Sequence, residues 1–252
     1  MAIRTEHTPG TPSWIDLGSP DPDAAAAFYG ALFGWDIPAG SPEMGGYRIA
    51  TIGGKSVAGI GPQPQPGPSS WSVYVTVADA DATVARAEIH NGAVLLAPMD
   101  VMEAGRMAVL GDTNGLPISI WQPNQHIGAE IVNEPGTFVW NEMATSDVRK
   151  AHSFYEAVFD WVVDPEHSSE TALIFTAGGR TLCGAHQADG NEPPGWMVWF
   201  NSDDADAAAA KVSELGGTVI MPPADLSFGR ATVVADVQGA VFGIGKIDAP
   251  ED

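Results

Sequence analysis

One stretch of this chain occurs twice. "PSWIDLGSPDPDAAAAFYGALFGW", from Pro12 to Trp35, returns as "FVWNEMATSDVRKAHSFYEAVFDW", from Phe138 to Trp161. At a constant spacing of 126, Trp14, Asp21, Phe28, Tyr29, Phe33 and Trp35 meet Trp140, Asp147, Phe154, Tyr155, Phe159 and Trp161. The segment beginning "WSVYVTV" at Trp71 matches "WMVWFNS" at Trp196 with a spacing of 125. At 124, "GRMAVLGDTNG" matches "GRATVVADVQG", which brings Arg106, Asp112 and Gly115 onto Arg230, Asp236 and Gly239. A period this long and this steady means duplication of a whole domain, and 252 residues suffice for two domains of ordinary size.

Each copy begins with alternating residues. Ile15 and Leu17 fall on one face of a strand and Trp14 and Asp16 on the other. Asp21 then caps a helix with Pro22 in its first position, and Ala25, Phe28, Tyr29, Leu32 and Phe33 recur at helical spacing until Gly34 closes it. Short strands follow around Tyr47–Ile52 and Ser56–Ile60. A second strand begins at Trp71, with a helix from Asp79 to a stop at Gly92, and "AVLLA", "RMAVLG" and "LPISIWQ" read as three more strands. The order is βαβββ twice in each half. The expected boundaries are a flexible terminus at 1–10, a first domain at 11–122, a linker at 123–135 and a second domain at 136–248.

A strand, an Asp-capped helix carrying "AxxFYxxxFGW" and a distal "GR…D…G" hairpin resemble the vicinal oxygen chelate superfamily. That superfamily includes glyoxalase I, extradiol dioxygenases and bleomycin-resistance proteins. The resemblance implies an α+β fold in which two βαβββ modules curl into a cup with helices on its convex side. Metal-using members hold a divalent ion on the concave face with His, Gln and Glu side chains. Here the matching positions are Trp14, Ser72 and Ser119 in the first half and Trp140, Met197 and Gly243 in the second. Indole, thioether and a missing side chain are no ligands for such an ion. The six histidines, at 7, 90, 126, 152, 167 and 186, fall elsewhere. In "CGAH", Cys183 and His186 stand three apart on a strand and point to opposite faces. No metal and no cofactor are expected.

Strand alternation gathers Trp14, Asp16, Ser72, Tyr74, Ser119 and Trp121 on the first concave face, and Trp140, Glu142, Met197 and Trp199 on the second. Ile15, Leu17, Val73, Val75, Ile118 and Ile120 face the helices. Asn141 breaks the pattern by taking the slot of Ile15. An aromatic wall beside one carboxylate suits a flat, apolar, aromatic molecule. Such a cup serves capture or carriage of a metabolite or drug without metal. The alternative is a metal-free isomerase, lyase, cyclase or hydroxylase-like enzyme with Asp16 or Glu142 as general acid or base. A plain structural role, as packing tryptophans and as carboxylates paired with Arg106 or Arg230, stays open beside both; the two arginines also count as candidate ligand contacts. Tyr29 and Tyr155 read as core.

The net charge of −21 repels phosphate backbones and anionic lipid, so neither nucleic acid nor membrane is an expected partner. No apolar run reaches the length of a membrane span, and the single cysteine fits a reducing cytoplasm. The fused halves supply the pairing that single-domain relatives obtain by dimerising, so a monomer is expected, with a homodimer as the other possibility.

Overall fold

The computed structural model describes residues 3–63, 65–190 and 192–247; the expected end of the second domain at 248 lies outside them. The first half contains β1 (Pro12–Ser19), α1 (Pro22–Phe33), β2 (Arg48–Ile52), β3 (Lys55–Pro62), β4 (Ser70–Thr76), α2 (Ala80–Ile89), β5 (Ala93–Val101), β6 (Gly105–Gly111) and β7 (Pro117–Pro123). The second contains β8 (Phe138–Thr145), α3 (Val148–Phe159), β9 (Val162–Val163), β10 (Ala172–Ala177), β11 (Arg180–Gln187), β12 (Gly195–Asn201), α4 (Ala205–Glu214), β13 (Thr218–Leu226), β14 (Gly229–Ala235) and β15 (Val241–Ile247).

Each half builds its own mixed sheet. The orders are β2-β3-β1-β4-β7-β6-β5 and β13-β14-β15-β12-β8-β11-β10-β9. In both, the first strands of the two modules run antiparallel at the centre, with Asp16 opposite Ser72 and Glu142 opposite Met197. Among the described residues, the first module of the first half has no strand matching β9. A single bridge between Asp36 and Thr51 stands in its place.

Asp21, Asp79, Asp147 and Asp204 cap the four helices by accepting from backbone N–H groups of the first turn. Gly34 ends α1 in the left-handed conformation, and Asp160 does the same for α3 at a φ of 60°. Helix α2 stops earlier than the sequence suggests, at Ile89, because His90 already leaves the helical conformation.

The convex face of the first sheet is apolar as the alternation requires: Ile15, Leu17, Val73, Val75, Ile118 and Ile120 are all buried. The first helix of each half also packs across the junction. Phe33 of α1 meets Phe200 and Phe242, with ring centroids 4.8 and 6.3 Å apart, and Trp35 Nε1 donates to Gly136 O at 2.7 Å. Trp161 Nε1 donates in the same way to Gly10 O at 2.6 Å. One aromatic core therefore joins the halves. The terminus expected to be flexible is tied down from Ile3 onward, because Ile3 bridges Ile131, Arg4 N–H donates to Glu130 O and His7 Nε2 bonds Ala129 O. Among the described residues no helix is long and apolar enough to cross a membrane.

Candidate functional site

Two hollows are built from equivalent strands and filled differently. In the first, Asp16 on β1 faces Gly59 on β3 and Ser72 on β4, and Tyr74 stands next to Ser119 on β7. Gly59 and Gly61 bare their stretch of β3, so that Tyr47 lies across it; a Cβ at Gly59 would run into the Tyr47 hydroxyl. Tyr74 Oη donates to Asp16 Oδ2 at 2.8 Å, Tyr47 Oη approaches the same oxygen at 3.4 Å, and Trp14 Nε1 donates to Tyr47 Oη at 3.0 Å.

Burial pushes the Asp16 carboxyl up to about 6, against the opposing pull of hydrogen bonds from Tyr74, Tyr47 and Ser72. Burial, with Asp16 beside them, also holds the Tyr47 and Tyr74 phenols well above their ordinary range, so they stay protonated donors. No cation is paired with Asp16 among the described residues. This is the environment in which a carboxyl exchanges its proton near neutrality.

Beside these groups lies a cavity of about 550 Å³, walled by Asp16, Ser72, Tyr74, Met107, Val109 and Ser119 and closed by Pro194, Gly195 and Trp196 of the second half. Trp14 and Trp121 share the concave face but not this cavity. His126 of the linker packs edge-on against Trp14 with centroids 4.6 Å apart, and its carbonyl accepts from Trp121 Nε1 at 2.7 Å. The linker thus plugs one end of the cup and leaves the Asp16 end open.

In the second hollow Trp199 takes the place of Tyr74, and its ring lies over Gly243, where a Cβ would collide with it. Phe228 stacks edge-on against Trp199 at 5.4 Å, and Trp140 and Met197 pack against the same cluster. Glu142 lies over Gly184 and is held on both sides. Trp140 Nε1 donates to its Oε2 at 2.9 Å, and His186 Nδ1 donates to its Oε1 at 2.9 Å. His186 Nε2 donates to Glu192 at 2.7 Å. The Glu142 hydrogen bond, aided by Glu192, raises the His186 imidazole to about 9, so it is an imidazolium near neutrality.

The side chains at the superfamily's ligand positions do not fit a divalent ion. Trp14, Ser72, Ser119, Trp140, Met197 and Gly243 offer at most weak hydroxyl donors. Both ring nitrogens of His186 are engaged by carboxylates, Glu142 on one side and Glu192 on the other. Among the described residues no group of three or more His, Cys, Asp or Glu side chains converges on a point suited to a metal.

Arg106 and Arg230 do not reach the carboxylates of the cups. Arg106 binds Asp81 on α2 at 2.8 Å and Asp100 on β5 at 2.8 Å. Arg230 binds Asp206 on α4 at 2.6 Å and Asp225 on β13 at 3.0 Å. One residue beside the cup-facing Met107, the arginine necessarily points the other way, where it ties helix to strand. Cys183 is buried, and His186 stands on the cup side beside Glu142, opposite to it.

Three participants are absent from the sets gathered by strand alternation. Tyr47 precedes β2 and reaches the cup from a turn; its signal is the pair Gly59 and Gly61, bare on alternate positions. His186 sits two residues beyond Gly184 on the same face, so alternation could have placed it beside Glu142. Glu192 lies in a loop, and only the fold brings it there.

Comparison with known proteins agrees with this architecture. The family model described as "Glyoxalase/Bleomycin resistance protein/Dioxygenase superfamily" matches residues 137–244, and one described as "Glyoxalase-like domain" matches residues 14–121. The chain is 40% identical to "Putative glyoxylase CFP32" of Mycobacterium tuberculosis over 98% of both chains. It is 36% identical to "Anthracycline biosynthesis protein DnrV" of Streptomyces peucetius over 96% of this chain and 95% of that one. Among solved structures, a Mn(II)-bound glyoxalase from Novosphingobium aromaticivorans superposes with a TM-score of 0.70 at 14% identity, covering 95% of this chain and 83% of that one. The 2,3-dioxygenase LapB of Pseudomonas sp. KL28 gives 0.71 at 11% identity, covering 98% and 96%. The chain belongs to the glyoxalase/bleomycin resistance protein/dioxygenase, or vicinal oxygen chelate, superfamily, with two of its domains in tandem.

Proposed function

We propose that the first cup binds a flat, largely apolar, aromatic small molecule without metal, and that Asp16 meets a hydroxyl or labile proton of that ligand. The observation that carries this reading is the cavity of about 550 Å³ beside the Asp16 cluster, a volume in the range of small-molecule sites. Tyr74, Met107, Val109 and Trp196 supply the apolar contact, and Ser72 and Ser119 supply hydroxyls. The second cup is packed by its own tryptophans, which makes the halves unequal in function. Similarity to a protein named for anthracycline biosynthesis supports a polycyclic aromatic ligand. The reading places the protein in the cytoplasm as a monomer, its halves completing one another.

A second reading is favoured by the raised carboxyl of Asp16. Asp16 takes or gives a proton in an isomerisation, elimination or ring closure, while Tyr47 and Tyr74 donate hydrogen bonds to it.

Titration with hydroxylated anthraquinones, followed by tryptophan fluorescence, tests the first reading. Saturable quenching in the wild type and its loss in Ser119→Trp, which fills the cavity, are expected; no saturable response across the series overturns it. Asp16→Asn separates the two readings. Binding with turnover abolished supports catalysis, and loss of binding alone supports capture.

A further inference from the structure

The linker lays a carboxylate on the start of β3. Glu130 Oε1 accepts from Lys55 Nζ at 2.9 Å, and Oε2 accepts from Ser56 N–H at 2.9 Å and Ser56 Oγ at 3.1 Å. The start of β11 repeats this cradle as Arg180 and Thr181. The register is the same: Ser56 faces Thr51 next to a bulge at Ala50/Thr51, and Thr181 faces Thr176 next to a bulge at Phe175/Thr176. A cation followed by a hydroxyl residue is retained, but among the described residues no carboxylate is hydrogen-bonded to it. At the repeat spacing, the residue matching Glu130 is Arg4.

A cavity of about 320 Å³ opens at this place, between the amino-terminal tail and the second sheet. Arg4, His7, Asn141, Arg180 and Thr181 line it, with Glu6 on its wall. Asn141 is the residue that breaks the apolar pattern of its strand. It is 1% exposed and its Oδ1 has no hydrogen-bond partner among the described residues. Its counterpart Ile15 is apolar and fully buried. A buried polar atom left unpaired is rare, and the residue that carries it lines the cavity.

We propose that this cavity is a binding site for a small organic carboxylate. Its carboxylate sits on Arg180 and Thr181 as Glu130 sits on Lys55 and Ser56. Arginine suits this task, since its guanidinium meets both carboxylate oxygens at once. The site is separate from the first cup and stands or falls independently of the ligand proposed there.

The test is an amide and arginine side-chain NMR titration of the full chain with acetate and glycolate, with sodium chloride at matched ionic strength as control. Saturable shifts at Thr181 N–H and Arg180 Nε–H are expected with both acids and not with chloride. Arg180 is exposed, so Arg180→Gln folds normally and weakens both acids about tenfold or more. Arg4→Glu supplies the missing carboxylate from within and blocks both. Absence of saturable shifts, shifts that chloride reproduces, or affinities unchanged in Arg180→Gln overturn the proposal.

Discussion

Tyr29 donates its phenol to Asp236 across the junction at 3.1 Å, and Tyr155 mirrors it toward Asp112 at 3.5 Å. Each aspartate closes its own hairpin with the other oxygen. Asp236 Oδ1 accepts from Gln238 and Ala240 N–H, and Asp112 Oδ1 from Asn114 and Leu116 N–H. The repeated "D…G" of the sequence is thus a turn that also receives the partner half's first helix. This exchange ties the first helix of each half to the distal hairpin of the other.

Tyr29→Phe removes a donor from a buried carboxylate oxygen and is expected to cost about 1–3 kcal/mol, seen as a lower denaturant midpoint. Tyr155→Phe, from the longer contact, is expected to cost less. In a double-mutant cycle, Tyr29→Phe with Asp236→Asn should be clearly non-additive. Simple additivity would show that the contact contributes nothing across the junction.

Asp16 gives the stability a pH dependence of defined sign. Its folded-state carboxyl titrates at about 6 against an ordinary 3.8, so between these values the folded chain holds a proton that the unfolded chain has released. This group's contribution is therefore fully present below about pH 4 and lost as pH rises to about 6. Asp16→Asn should flatten that slope and stabilise the protein at pH 7 by at most about 3 kcal/mol. A less stable Asp16→Asn variant at pH 7 would mean that the charged form is held by a partner other than the two tyrosines and Ser72.

Strand alternation made the cup faces legible, because a period of two fixes which side each residue takes once Trp14 and Ile15 are assigned. It placed Asp16, Ser72, Tyr74 and Ser119 together on the first and Glu142, Met197 and Trp199 on the second. It could not tell an open cup from a filled one. That depends on His126 of the linker covering Trp14 and on Gly243 admitting the ring of Trp199, both of them contacts between distant segments. The same limit applies to Arg106, whose partner Asp81 lies on a helix that only the packing brings over the strand.

Because Arg106 and Arg230 tie exposed helices to exposed strand ends, Arg106→Gln and Arg230→Gln should leave ligand-induced fluorescence changes in the first cup untouched. Their effect on the denaturation midpoint should shrink further as salt is added, since exposed ion pairs are screened. A changed ligand response in Arg106→Gln would return that arginine to the site.

The closed state of the second cup rests on one pair. Trp199 lies flat only because Gly243 has no side chain, whereas the matching pair in the first cup is Tyr74 and Ser119. Gly243→Ser alone forces the indole out of a packed cluster and is expected to cost about 1–3 kcal/mol. Trp199→Tyr alone leaves a gap where the larger ring lay and should also destabilise. Introduced together, they restore the pair of the open cup, so the double variant should be more stable than the sum of the single losses predicts, and its second hollow should become accessible. Urea midpoints for the four proteins check the coupling, and anthraquinone titration of the double variant, in a background where Ser119→Trp has filled the first cup, checks the access. If the double variant loses the full sum of both penalties, Trp199 is kept in place by Phe228 and its other neighbours rather than by the glycine beneath it.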